Sequence, residues 1–299
     1  MTEPIKLTAT EAGRIDKEVA RHYPDAGRRQ LAELFDDGCV KLTGKRARKG
    51  DFLSVGDTIE LTRAPVTADA ARPLPDPDAA ARLPILLERP ELVVVAKPAG
   101  MPSQPLRPGE LGTAANALAH MFPECATIGD DPRDGGRVHR LDIGTSGCLI
   151  AARTPEAYRA LRDAFGDSQV EKLYLAITDG RPVSRECDAP LAQRGKKVIV
   201  DHTDGLAAYT SFVVDRATNT HALVRCDART GRMHQIRAHL SYVGAPIVGD
   251  TLYGGKPLEG HEGFFLHAAA IMFPFGTERI RVDAHPPDRF AAAIATLGL

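Results

Sequence analysis

The chain has 299 residues, 43% of them hydrophobic and 26% charged, with a formal net charge of −1. This composition suits a soluble globular protein with room for a small unit joined to a larger one. It excludes a polycation that coats nucleic acid through bulk charge, so a nucleic-acid partner would be met through local basic patches.

Five scattered cysteines, Cys39, Cys125, Cys148, Cys187 and Cys226, form no Cys-x-x-Cys pair. With the N-terminus MTEPIKLTATEAGR lacking a secretory pattern, reduced thiols, a cytoplasmic location and no structural zinc are expected. No apolar run reaches membrane-spanning length, so no membrane contact is expected.

In chain order, IDKEVARHYP predicts a first helix, and GRRQLAELFDDG a second that ends at Gly38. CVKLTGKRARKGDFLSVGDTIELT alternates apolar and polar residues around glycines, as short strands do. Residues 1–62 therefore form a small α/β unit. Residues 63–84, rich in Pro, Ala and Asp, read as a linker to a larger domain over 85–299. There LVVVAKPAG predicts a buried strand, CLIAAR another, and TPEAYRALRDAF an amphipathic helix with Thr154 as N-cap and Pro155 in its first turn. KLYLAITDG, YTSFVVD and HALVRCD are strands, MHQIRAHLSYVG a helix ending at Gly244, and FFLHAAAIMFPF and ERIRVDA close the chain as strands. The class expected is α+β, with a mixed, mainly antiparallel sheet and helices against it.

Residues 137–147, RVHRLDIGTSG, gather two arginines, a histidine and a hydroxyl pair around one carboxylate, Asp142. Alone, such a cluster is a surface turn. The ordered neighbours LVVVAKPAGMPSQP, EKLYLAITDG, ARTGRMHQIRAHLSYVGAPIVGDTLYGG and FFLHAAAIMFPFG change that. With RVHRLDIGTSG they resemble, over Glu91 to Asp283, the RluA-type pseudouridine synthases. RIDKEVARHYPDAGRRQLAELFDDGCVKLTGKRARKGDFLSVGDTIEL separately resembles the αL RNA-binding module of ribosomal small-subunit proteins.

The resemblance implies an isomerase that converts uridine to pseudouridine in RNA without cofactor or metal. That chemistry needs an ionised carboxylate beside the sugar, a group to hold the detached base, and exclusion of water. The resemblance makes Asp142 the catalytic aspartate, Arg237 its cationic partner and Tyr174 the ring on the uracil. It makes Leu266 a pocket wall, gives Arg140 the place of the flipped base or a phosphate clamp, and places Lys97 with the substrate-binding residues. His139, as often a structural hydrogen-bonder as a proton carrier in such a place, is left out of the catalytic set. In the N-terminal module, Arg14, Arg28, Arg29, Lys45, Arg46, Arg48 and Lys49 are the expected phosphate contacts.

The sequence departs from the family where relatives commonly carry Val-His and this chain has Ser103 and Gln104. It departs again where they carry a charged pair and it has Ile143 and Gly144. Both places lie beside the pocket and bear on substrate identity. HRLD differs from the kinase loop, in which Asp directly follows Arg, and His234 and His239 lie five apart, unlike helical metal pairs. The expected partner is RNA, ribosomal first and transfer RNA second, with the protein a monomer. The other readings are a tRNA synthase or a non-catalytic ribosome-assembly protein on the same scaffold. The retained Asp142, Tyr174 and Arg237 favour the enzyme.

Overall fold

The structure, a computed structural model, describes residues 4–24, 26, 28–65, 74–107 and 109–299. The chain divides into two compact units, Met1–Pro73 and Leu74–Leu299. Among the described residues no helix is long and apolar enough to cross a membrane.

In the first unit β1 (Ile5–Thr8) and β2 (Gly13–Arg14) precede α1 (Ile15–His22) and α2 (Arg28–Asp36). β3 (Val40–Leu42), β4 (Lys45–Arg46), β5 (Phe52–Leu53) and β6 (Thr58–Leu61) follow. An antiparallel sheet of order β1-β6-β3-β4 results, with β2 paired to β5. Ile15 and Val19 of α1 and Leu31, Leu34 and Phe35 of α2 bury against Val40, Ile59 and Leu61 of the sheet. The helices ride on the sheet because their apolar residues recur at three- and four-residue spacing.

The second unit begins inside the segment expected to be linker. Ala81 and Leu83 are buried in a cluster with Val93, Val95 and Leu118, so these two residues belong to this domain's core. Its strands are β7 (Ile85–Glu88), β8 (Leu92–Lys97), β9 (Ser146–Ala152), β10 (Glu171–Asp179), β11 (Glu186–Cys187), β12 (Leu191–Arg194), β13 (Lys197–Val200), β14 (Thr210–Ala217), β15 (His221–Ala228), β16 (Leu266–Phe275) and β17 (Glu278–Asp283). Its helices are α3 (Ala114–Met121), α4 (Pro155–Gly166), α5 (Gln235–Tyr242) and α6 (Asp288–Leu297). The chain thus closes on α6, which the sequence reading lacked, and not on strands.

The main sheet runs β11-β14-β15-β10-β16-β9-β8-β7, with β17 also paired to β16. All its pairings are antiparallel except β9 with β16. Alternation along β8 sends Leu92 and Val94 to one face and Val93 and Val95 to the other. The first face is covered by Tyr158 and Leu161 of α4, the second by Leu118 of α3. α4 starts as its sequence requires, with the Thr154 hydroxyl accepting from the Ala157 N–H at 3.2 Å. Where β9 meets β16, Gly147 has φ 115°, and an added Cβ would lie 2.2 Å from the Ala268 carbonyl oxygen. Only glycine permits that approach, which brings the loop ahead of β9 close to the middle of the sheet.

Candidate active site

Four neighbouring elements converge on one cleft of about 480 Å³. The loop before β9 supplies Asp142, β10 supplies Tyr174, β16 supplies Leu266 and α5 supplies Arg237. A β-bulge between β10 and β16 sets Leu173 opposite Ala270 but Tyr174 opposite Ala268. Such a bulge re-aims the flanking side chains, here toward the cleft.

Arg237 is the hub. Its Nη1 donates to Asp142 Oδ2 at 3.1 Å, while Nε and Nη2 donate to Asp250 Oδ2 and Oδ1 at 2.7 and 2.9 Å. The guanidinium lies between two rings, its Cζ 4.9 Å from the Tyr253 centroid and 4.4 Å from that of Phe264. Burial opposes its charge, but Asp250 and then Asp142 outweigh burial and hold the guanidinium more firmly protonated than usual. Side-chain exposure is 7% for Arg237, 1% for Asp250 and 17% for Asp142. Asp142 alone of the three therefore opens appreciably to the cleft.

His234 stands on the other side of the carboxylate, Nε2 at 3.8 Å from Asp142 Oδ1. It precedes α5 in left-handed backbone, φ 52° and ψ 20°, a strained conformation for a residue with a Cβ. The Tyr253 hydroxyl accepts from the Val198 N–H at 2.9 Å and lies 3.0 Å from His234 Nδ1, in hydrogen-bond contact with it. Burial lowers the His234 pKa and the charge of Asp142 opposes this.

The loop bearing Asp142 is fixed from behind. The Thr145 N–H donates to the Asp142 carbonyl at 3.0 Å. Ser103 Oγ donates to the Leu141 carbonyl at 2.7 Å and accepts its N–H at 3.1 Å. Arg137, buried, donates to Gln104 Oε1, to the His139 carbonyl and to Asp134. Ser103 and Gln104, where the sequence departs from the family, thus brace the loop that carries Asp142. His139 is half-buried and held structurally: its Nε2 accepts from the Ile150 N–H at 3.0 Å and its ring stacks on Phe165.

Lys97 is corrected. It is 1% exposed, and its ammonium donates to the carbonyls of Pro98, Met101 and Ile143 at 2.9, 2.8 and 3.3 Å. With its donors turned inward it supports the Asp142 loop and presents no group to a substrate; burial lowers its pKa to about 8.

Arg140 is exposed, lines the cleft with Asp142, and has no hydrogen bond or ion pair among the described residues. Tyr174 is held neutral, its pKa raised by burial and then by the charge of Asp142. Sequence reasoning missed Asp250, Tyr253 and Phe264 and considered His234 only as a metal ligand. Asp250 stood inside a quoted motif, yet nothing in the sequence marked it as the partner of an arginine thirteen residues earlier.

In the first unit, Arg14 pairs with Asp16 at 2.9 Å. Arg46 donates to the carbonyls of Phe35 and Asp36, capping the end of α2, so it serves the fold. Lys45 and Arg48 are exposed and Lys49 half-buried, while the side chains of Arg28 and Arg29 lie outside the described residues.

Among residues lining the cleft, Arg140, Arg162, Lys172, Arg229, Arg232 and Arg237 are cationic and Asp142 is the one carboxylate. A chain of net charge −1 has therefore concentrated positive charge where it is concave. The pattern of the RNA pseudouridylate synthase family matches residues 91–242. The chain is 33% identical over 302 residues to ribosomal large subunit pseudouridine synthase D of Xanthomonas campestris pv. campestris, covering 95% of this chain and 88% of that protein. It is 31% identical over 310 residues to an uncharacterized RNA pseudouridine synthase of Bacillus subtilis, covering 98% of each. Among solved structures it is similar to human RNA pseudouridylate synthase domain containing 4, with TM-score 0.59 and 25% identity, covering 72% of this chain and 92% of that one. The chain belongs to the RNA pseudouridylate synthase family.

Proposed function

We propose that this enzyme isomerises specific uridines of large-subunit ribosomal RNA to pseudouridine in the cytoplasm. The observation that carries this reading is Asp142, the one carboxylate of a cation-lined cleft, held by Arg237 opposite Tyr174. The relatives named for the ribosomal large subunit match nearly the whole chain, N-terminal unit included, which favours that RNA over transfer RNA.

In the reaction the bond from ribose C1′ to uracil N1 breaks, the base turns, and C1′ bonds to C5. The C5 proton leaves and N1 gains one, so nothing is lost or added. Asp142 acts at the sugar, with Arg237 balancing its charge and the His234 imidazole beside its other oxygen. Leu266 closes the cleft on the apolar side. Tyr174 serves as a neutral platform for the base, because removing its phenolic proton is opposed by burial and by Asp142. Arg140, unpaired and exposed, is placed to fill the stack left by the flipped uridine. In the first unit, an αL-type RNA-binding module, Lys45, Arg48 and Lys49 would meet backbone phosphates.

The test is pseudouridine mapping across the transcriptome by carbodiimide chemistry in cells with and without the gene. Loss of signal at one or a few large-subunit ribosomal uridines is expected. Unchanged ribosomal RNA with a lost transfer RNA site would redirect the assignment.

A further inference from the structure

The catalytic domain buries two lysines with opposite treatment. Lys97, 1% exposed, has three carbonyl acceptors for its ammonium. Lys172, 9% exposed, has none: among the described residues it makes no hydrogen bond and no ion pair, and it lines the Asp142 cleft. Its named neighbours are the Phe165 ring, 5.8 Å from Nζ, and Asp227, whose charge reaches it only through space. A buried ammonium without acceptors is costly unless something else supplies them.

We propose that Lys172 binds a backbone phosphate flanking the target uridine, an inference that rests on the uridine-isomerising reading of this cleft. Lys172 and Tyr174 alternate to the same face of β10, roughly 6.6 Å apart along the strand at ~3.3 Å per residue. If the base lies on Tyr174 with its sugar at Asp142, Lys172 is displaced by about the span from base to phosphate. The displacement runs toward the exposed start of β10, where Glu171 and Ser168 are in solvent and Arg162 lines the same wall. A compact point charge with three donors suits a phosphate better than the flat edge of uracil. The Phe165 ring beneath it, itself stacked on His139, holds the stem in place without competing as an acceptor.

The experiment is single-turnover pseudouridine formation by the full chain on deproteinised ribosomal RNA from cells lacking the gene, across a salt series. Parent, Lys172→Met, Lys172→Arg and Arg216→Met are compared, the last being an exposed arginine on β14 away from the cleft. For Lys172→Met the half-saturating enzyme concentration should rise roughly tenfold at low salt. Its logarithmic salt slope should fall by about 0.7, the value of one phosphate contact on single-stranded RNA. The rate at saturation should stay within about threefold of the parent, since a phosphate contact is made equally before and during the reaction. Lys172→Arg should restore most of the slope.

An unchanged slope in Lys172→Met of parental thermal stability would overturn the proposal, as would the same loss in Arg216→Met. A fall in saturating rate alone would also overturn it and move Lys172 to the base. A parent that forms no pseudouridine would sink the reading of the cleft itself. The salt slopes of RNA binding by parent and Lys172→Met would then still decide whether the lysine meets phosphate.

Discussion

Arg237 gives Nε and Nη2 to Asp250 and only Nη1 to Asp142, so the buried carboxylate holds the arginine more tightly than the reactive one does. Asp250 thereby fixes the plane of the guanidinium, leaving Asp142 a single hydrogen bond and a free face. Asp250→Asn breaks a buried pair at a cost of roughly 3 kcal/mol, the low end for such losses because Asp142 still balances the charge. Misplacing Nη1 should lower the single-turnover rate on the order of a hundredfold with RNA affinity nearly unchanged. Urea unfolding and single-turnover kinetics check both, and a rate equal to the parent's would show that Asp250 does not position the arginine.

Phe264 packs on Arg237 because Gly144 makes room for it. A Cβ on Gly144 would lie 2.6 Å from Phe264 Cε1. Gly144→Ala should therefore push the ring off the guanidinium, costing about 1–3 kcal/mol by overpacking and lowering the rate. Gly144→Ala with Phe264→Leu should recover much of both losses. Additive losses in the double variant would mean that the two residues are independent.

The place of the candidate site was legible where residue type and motif agreed. Asp142, Tyr174, Leu266 and Arg237 come from four elements, and all line one cleft. Thr154 and Pro155 marked the start of α4 because capping is a local property. Lys97 was misread because motif membership says nothing of where an ammonium points. Asp250 was invisible because its meaning depends on the turn that brings it back beneath α5. Helix α3, AANALAHM, escaped notice because Ala114 to Ala119 are all buried, so no polar face alternates with an apolar one. The β12–β13 hairpin was missed as well, although its Val198 N–H anchors the Tyr253 hydroxyl and through it His234.

Burial holds the pKa of His139 down to about 3, against an ordinary 6.5. The folded state thus stays unprotonated at this site between those values while the unfolded chain takes up a proton. Stability should fall as pH drops through that window, by up to about 1.4 kcal/mol per unit from this group, and be unaffected by it above 6.5. His139→Gln should be less stable at pH 7 yet lose less between pH 6.5 and 4. A constant gap between parent and variant across that range, by urea unfolding, would show that His139 titrates normally.

If the first unit meets RNA through its basic hairpin, the exposed Lys45 and Arg48 and the half-buried Lys49 should each neutralise a phosphate. The triple alanine variant should keep the saturating rate while the logarithmic salt slope of RNA binding falls by about 2. Arg46→Ala should instead cost stability, because its guanidinium caps α2. Equal salt slopes in parent and triple variant would remove this hairpin from the interface.

Asp142→Asn and Arg237→Met separate the carboxylate's chemistry from its electrostatic support. Asp142→Asn keeps the shape of the side chain and removes its charge, so it should fold and bind RNA like the parent while losing turnover at every pH. Arg237→Met leaves both Asp142 and Asp250 without their cation, at a cost of roughly 3–5 kcal/mol in stability. The single-turnover rate should then fall steeply, because the carboxylate loses the donor that holds it in place. Arg237→Lys should fall between, keeping the charge but losing the fork that grips Asp250. Single-turnover rates and urea unfolding of parent and the three variants decide the matter. A rate for Arg237→Met equal to the parent's, with stability lost, would show that the arginine serves the fold and not the carboxylate.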